Sequence, residues 1–106
     1  MSTIPSLPVS LINEDPALHA HEVDAATCAI VLELLSADVV QLQACLELYE
    51  GVATMRTIIP KESVVALFTP VSMLPNTRDM LVSLHGQIAW RSREHLGEKA
   101  LAALMS

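Results

Sequence analysis

The sequence predicts an α+β domain of two layers, with helices packed on one face of an antiparallel sheet. Short segments rich in aliphatic and β-branched residues indicate strands, and the segments between them repeat apolar residues at helical spacing. Proline and glycine fall at the breaks between these segments. At 106 residues the chain has room for one domain with a core of its own.

The first 24 residues differ in composition from the rest of the chain. They contain three prolines and four acidic residues but no lysine or arginine, and their apolar residues follow no regular period. This composition favours a solvated acidic arm over a packed element. We therefore predict a flexible arm over residues 1–24 and a single α+β domain over residues 25–106.

The first strand is predicted at residues 27–35. Because both of its faces are largely apolar, we expect a central strand that is covered on both sides. A helix follows, with Ser36 as its predicted N-cap and Gly51 as the residue that ends it. Its buried stripe is predicted to comprise Val39, Leu42, Leu46 and Tyr49.

Two more strands are predicted at residues 52–59 and 63–69, and the turn Pro60-Lys61-Glu62 makes them a hairpin. A second helix opens at Leu74-Pro75, since proline suits a first turn. Residues 90–93 fit a break, a short fourth strand or continuing helix, and a last helical segment follows. The predicted buried stripe of the second helix is Thr77, Leu81, Leu84 and Ile88.

This order is β-α-β-β-α with an extra C-terminal helical segment. The economical arrangement is a ferredoxin-like sandwich in which the third strand lies between the first two. Both helices then cover one sheet face, and the other face, with Val31 and Ile58, is left open and apolar. A second copy of the chain, residues 92–105 folding back, or a different protein are the three candidates to cover it.

Several classes of partner are disfavoured by the composition. A net charge of −6 and an aromatic content of 3% argue against nucleic acid, because phosphates need cations and bases need stacking partners. No apolar run approaches the length of about 20 residues that spans a bilayer. Cys28 and Cys45 are far apart and the N-terminus lacks a secretory pattern, which predicts a cytoplasmic protein with reduced thiols. A disulfide between them is the alternative, because a strand and the helix that follows it pack together.

Catalytic chemistry is not indicated. His19 and His21 form an incomplete metal site, since no second ligand pair of suitable spacing accompanies them. Neither cysteine has a histidine nearby in the sequence, and no glycine-rich phosphate loop is present. We expect no enzyme activity, no metal and no cofactor.

Two charged residues share the predicted open face. Glu33 and Arg56 are interpreted as a charged anchor in an apolar interface or as a carboxylate-binding site, against the alternative of an ordinary exposed arginine on an edge strand. The complete set of candidate ligand or interface residues is Val31, Glu33, Glu50, Gly51, Arg56 and Ile58.

The run Leu48-Tyr49-Glu50-Gly51-Val52-Ala53-Thr54-Met55-Arg56-Thr57 resembles a small bacterial family that is itself a domain of unknown function. Members show a helix ending in Tyr-Glu-Gly and then a strand ending near Arg-Thr. The likeness covers about residues 28–88, although the turn at Pro60 lacks the aspartate expected before it. The resemblance implies the fold and no activity. A looser similarity links the fold to ACT-type regulatory domains and to small ferredoxin-like maturation chaperones.

The leading functional hypothesis is a non-enzymatic binding or regulatory module. Hydrophobic residues make up 52% of the chain, more than one small core hides, so we expect self-association as a homodimer or docking of a protein partner through the open face. The alternative is an ACT-like sensor of a small molecule, with its ligand near Glu50, Gly51 and Arg56.

Overall fold

The structure, a computed structural model, describes residues 18–49 and 52–105. Within them the chain forms one antiparallel sheet of five strands and three α-helices, which confirms the α+β class. The strands are β1 Ala20–Glu22, β2 Thr27–Glu33, β3 Thr54–Ile59, β4 Val64–Pro70 and β5 Arg91–Ser92. The helices are α1 Ser36–Leu48, α2 Leu74–Leu84 and α3 Gly97–Met105, with single 3-10 turns at Pro60–Glu62 and Val71–Met73.

The strand order is β1-β2-β4-β3, and β5 also pairs with β2. The short strands β1 and β5 share the outer edge of β2, because β1 pairs along residues 28–30 and β5 along Leu32 and Glu33. A hydrogen bond connects the start of β1 to β5, since the Ser92 hydroxyl accepts from the backbone N–H of His19, the residue before β1, at 2.9 Å. The other outer strand, β3, pairs with β4 and contains a bulge between Thr57 and Ile59.

Two short strands lie where the sequence pattern was ambiguous or predicted no strand. Arg91–Ser92 is a strand, so the alternatives of a break or a continuing helix at residues 90–93 do not apply. Ala20–Glu22 is also a strand, although it belongs to the segment interpreted as a flexible arm. The predicted boundary at residue 24 therefore falls inside the β1–β2 hairpin, and residues 1–17 of the arm lie outside the described part of the chain.

The ends of α1 differ from the prediction. Leu35, not Ser36, occupies the N-cap position, and no side chain caps the first turn. Tyr49 is exposed, so it does not close the core as the stripe had suggested. Glu50 and Gly51, with the predicted glycine stop, lie outside the described residues.

Helices α1 and α2 cover one face of the sheet, which we name the helix-pair face. Leu42, Leu46 and Leu81 pack here against alternate residues of β2 and β4, as their periodicity predicted. Its fully or nearly fully buried residues are Ile30, Leu32, Leu34, Leu42, Leu46, Val65, Leu67, Met80, Leu81, Leu84, Ile88 and Trp90. The Trp90 indole N–H donates to the Leu81 carbonyl at 2.8 Å, which satisfies its polar atom inside this core.

Helix α3 packs on the opposite side, which we name the α3 face. Ala100 and Leu104 are the helix residues in this cluster, and the sheet contributes mostly small or β-branched side chains. Its buried residues are Ala29, Val31, Ile58, Ile59, Val64, Ala66, Ala100 and Leu104. Of the three candidate covers for the face expected to be open, the C-terminal segment is therefore the one that the structure shows.

Candidate functional site

A carboxylate and two arginines meet where β2 ends. The pairing of β2 with β5 places Glu33 opposite Arg91. One Glu33 oxygen, Oε1, accepts from Arg91 Nε at 3.1 Å and lies 2.8 Å from Arg91 Nη2 in an ion pair, and the other accepts from Arg93 Nε. Because the Glu33 side chain is only 18% exposed, these charge-assisted bonds fix both guanidinium groups at the sheet end.

A second carboxylate extends this network towards α3. Glu62, in the turn after β3, lies 3.7 Å from Arg93 Nη2 and 3.3 Å from Lys99 Nζ. Arg93 also donates to the Leu96 carbonyl at 3.4 Å, just before α3 begins. Residues from β2, the hairpin turn, the segment after β5 and α3 therefore share one set of ionic contacts.

An open cavity of about 530 Å³ lies among these groups, and we name it the charged cleft. Three of the six basic residues of the chain line it, although the chain as a whole carries −6. Lys61 is exposed and has no ion-pair partner among the described residues. The lining residues are Glu33, Leu34, Leu35, Ser36, Lys61, Glu62, Ser63, Val64, Arg91 and Arg93.

The charged cleft suits an anion. Arg91 donates one of the five N–H groups of its guanidinium to Glu33 and holds Nη2 in an ion pair with the same oxygen, which leaves other donors for a second acceptor. Its side chain is 41% exposed, so a ligand in the cleft can reach it. Carboxylate and phosphate oxygens match the planar fork of an arginine, and Lys61 adds a mobile point charge.

Arg56 lies apart from this cleft. Its guanidinium donates to the carbonyls of Ala103 and Leu104, at 3.0 and 3.1 Å, and it stands 5.1 Å from the centroid of the Phe68 ring. Carbonyls at a helix C-terminus carry partial negative charge, so Arg56 holds the end of α3. Glu33 and Arg56, which the sequence placed on one open face, are not brought together.

The remaining candidate residues divide into two groups. Val31 and Ile58 are buried beneath α3, so neither is exposed within this chain. Glu50 and Gly51 lie outside the described residues. Sequence reasoning thus named one residue of the charged cleft, Glu33, and missed its arginines and Lys61.

The histidines and cysteines have structural surroundings. His21 Nε2 donates to the Arg93 carbonyl at 2.8 Å, which connects β1 to the segment that follows β5. Burial raises the pKa of the Cys28 thiol, whose sulfur lies 3.7 Å from the Thr69 carbonyl. Among the described residues no group of three or more His, Cys, Asp or Glu side chains is placed to hold a metal ion.

A weak signal for the cleft exists in the sequence. Arg91 and Arg93 are two residues apart, so both point to the same side if residues 90–93 form a strand. The interpretation of that segment was open, however, and Glu33 lies 58 residues before Arg91.

Comparison with known proteins adds no relative. Neither the family models nor the curated proteins nor the solved structures compared with this chain gave a match. None of the helices in residues 18–49 and 52–105 is long and apolar enough to cross a membrane.

Proposed function

We propose that this chain is a non-enzymatic binding and regulatory module whose ligand is a small anion held in the charged cleft. The observation that carries the proposal is the convergence of Lys61, Arg91 and Arg93 on one cavity in an acidic chain. A metabolite bearing a carboxylate or a phosphate would meet two preorganised guanidinium groups and one lysine there. The proposal keeps the idea of a small-molecule sensor but moves its ligand away from Glu50, Gly51 and Arg56.

The surroundings of Glu33 and Cys28 support a binding role and not a catalytic one. Glu33 is engaged by two arginines, so it acts as a fixed counter-ion that orients them. Burial of the Cys28 thiol and its raised pKa favour the protonated, unreactive form. The free cysteines Cys28 and Cys45 also support a reducing, cytoplasmic setting.

The finer fold assignment belongs to the same proposal. Without β1, the sheet order is β5-β2-β4-β3, and α1 and α2 follow β2 and β4 in the chain. A ferredoxin-like sandwich with β1 as an added strand and α3 as an added cover would have this order, which supports the proposal. We propose that fold, and with it the likeness to the uncharacterised bacterial family and to ACT-type domains, as an architectural kinship that does not itself define a ligand.

Titration of the protein with anions tests the ligand proposal. Inorganic phosphate, citrate, succinate and ADP are added separately at low salt, and melting temperature and binding heat are recorded. We expect at least one anion to raise the melting temperature by several degrees, since ligand at 100 times its dissociation constant contributes about 2.7 kcal/mol. Lys61→Gln with Arg91→Gln should weaken that binding at least tenfold.

Arg78→Gln is the matched control, because Arg78 is an exposed arginine on α2 outside the charged cleft. It should bind the anion as the unchanged chain does. Equal binding by the Lys61→Gln, Arg91→Gln variant would remove the cleft from consideration, and no response to any of the four anions would refute the proposed ligand class.

A second candidate function is protein docking on the α3 face, by a second copy in a homodimer or by another protein that replaces α3. The observation that favours it is that a single helix of 9 residues covers this face. Phe68, which packs against the buried cluster there, also lines an open cavity of about 300 Å³. Docking on this face requires α3 to leave the sheet. The test is therefore the native mass of a variant in which α3 is released.

A further inference from the structure

Helix α1 is apolar on the side that faces away from the sheet. Val40, Ala44 and Leu48 are exposed and follow one another at intervals of four residues, so they form one line along the helix. Val40 is 74% exposed and Leu48 is 82% exposed. With a rise of 1.5 Å per residue this line is about 12 Å long. The contact of α1 with the sheet does not need it, because the opposite side of the helix supplies the core residues.

The charges on this helix are all negative. Between Ser36 and Tyr49 the chain carries Asp38 and Glu47 but no lysine, arginine or histidine. Glu47 is exposed and lies three residues after Ala44, hence on the same side of the helix. A second copy of the chain would bring an equally acidic helix, without a cation to pair across the contact. The charge pattern therefore disfavours contact between two α1 helices and favours a basic partner.

We propose that the outward surface of α1, formed by Val40, Ala44, Glu47 and Leu48, docks a basic amphipathic helix of a partner protein. The small side chain of Ala44 in the middle of the line allows close approach of a second helix. The apolar side chains contribute the binding free energy, and the carboxylate selects lysine or arginine beside the partner's apolar stripe. One helix face is a small interface, so the complex is transient, with a dissociation constant in the micromolar range.

This surface shares no residue with the charged cleft, and the inference does not depend on anion binding there. The probe is a fluorescent amphipathic peptide with leucine at core positions and lysine elsewhere, beside a twin with glutamate in place of lysine. Anisotropy is recorded at 0.15 M salt, where weak surface attraction is screened beyond about 8 Å. The leucine–lysine peptide should bind in the micromolar range, and the leucine–glutamate peptide should not bind.

Val40→Gln with Leu48→Gln should weaken the leucine–lysine peptide at least tenfold. Glutamine is a good helix former, so the fold should survive these exposed changes, which circular dichroism verifies. The matched control is Leu101→Gln with Met105→Gln, because these residues are also exposed and four apart, on α3. The control should change the dissociation constant less than twofold.

Three outcomes would overturn the inference. Peptide binding that survives Val40→Gln with Leu48→Gln would show that charge alone attracts the peptide. An equal loss in the α3 control would show that the effect is not specific to α1. A native mass of two chains that falls to one chain in the Val40→Gln, Leu48→Gln variant would identify a second copy, and not a basic helix, as the occupant.

Discussion

The two faces of the sheet are covered in different ways. On the helix-pair face two helices of 13 and 11 residues press large side chains, among them Leu42 and Leu81, against β2 and β4. On the α3 face one helix of 9 residues contributes Ala100 and Leu104 and meets mainly alanine and β-branched side chains. Buried apolar area stabilises in proportion to its size, so the first face carries most of the hydrophobic free energy of folding.

On the α3 face, polar contacts add to the smaller hydrophobic contribution. Arg56 holds the C-terminal carbonyls of α3, and Lys99 joins the helix to Glu62 beside the charged cleft. Gly97 begins the helix with a φ of +77°, a conformation that glycine adopts without strain. Helix α3 is thus a separately attached element, whereas α1 and α2 are integral to the core. We infer that the helix-pair face supplies most of the stability of the fold and that α3 can leave the other face without unfolding the sheet.

One matched pair of substitutions distinguishes the two faces by their contribution to the free energy of unfolding. Leu81→Ala removes a fully buried side chain from the helix-pair face and should cost about 3–5 kcal/mol in the free energy of unfolding. Leu104→Ala, under the shorter α3, should cost about 2 kcal/mol, because the helix can shift to fill the space. Urea unfolding gives both values. An equal or larger cost at Leu104 would contradict the comparison.

The next prediction detaches α3. Ala100 is fully buried on the α3 face, so Ala100→Asp places a carboxylate against apolar residues and should release the helix to solvent. Because only the docking of α3 is lost, the cost should be about 2 kcal/mol. Hydrogen exchange should show amide protection lost in α3 and retained in β2 and β4.

Ala102→Asp is the control for this change, since Ala102 is exposed on the same helix. It should keep α3 protected. Light scattering on the Ala100→Asp variant also tests docking on the α3 face, because that face is then bare. A mass of two chains at high concentration would support self-association there, and a mass of one chain at every concentration would count against it.

Much of this architecture follows from local periodicity. The alternation in β2 and β4 places Ile30 and Leu32 on one face and Ala29 and Val31 on the other, as the structure does. Periodicity fails where two stripes coexist. In α1 the periodicity predicts the buried residues Leu42 and Leu46. Val40 and Leu48 form a second apolar stripe on the same helix, and only the tertiary arrangement shows that it is exposed. The bulge in β3 has a similar effect, since it brings Ile58 and Ile59 to the same face.

The charged cleft could not be predicted in the same way. Its ionic contacts join Glu33 to Arg91 and Arg93, which lie 58 and 60 residues further along the chain. Such contacts depend on the pairing of a two-residue strand, β5, that is too short to leave an alternating pattern. Glu33 stands out in the sequence because it is the only charge in residues 27–35, but its partners follow from topology and not from local sequence.

The smallest effect concerns Arg56, which the sequence marked as a candidate for function. Arg56→Met keeps an apolar stem beside Phe68 but removes the donors to the Ala103 and Leu104 carbonyls. A cation at a helix C-terminus and a contact with an aromatic ring each contribute less than about 1 kcal/mol at an exposed site. We therefore expect a loss of about 1 kcal/mol, read from the urea midpoint, and no loss for Arg78→Met.

A double-mutant cycle then tells a structural role from a binding role. If Arg56 acts by holding α3, its replacement should have no effect once Ala100→Asp has already released that helix, so the two costs should not add. Full additivity would mean that Arg56 stabilises something other than α3. Costs that do not add would show that the Arg56 and Ala100 contacts are lost together, so that α3 leaves the sheet as one unit while the helix-pair face stays folded.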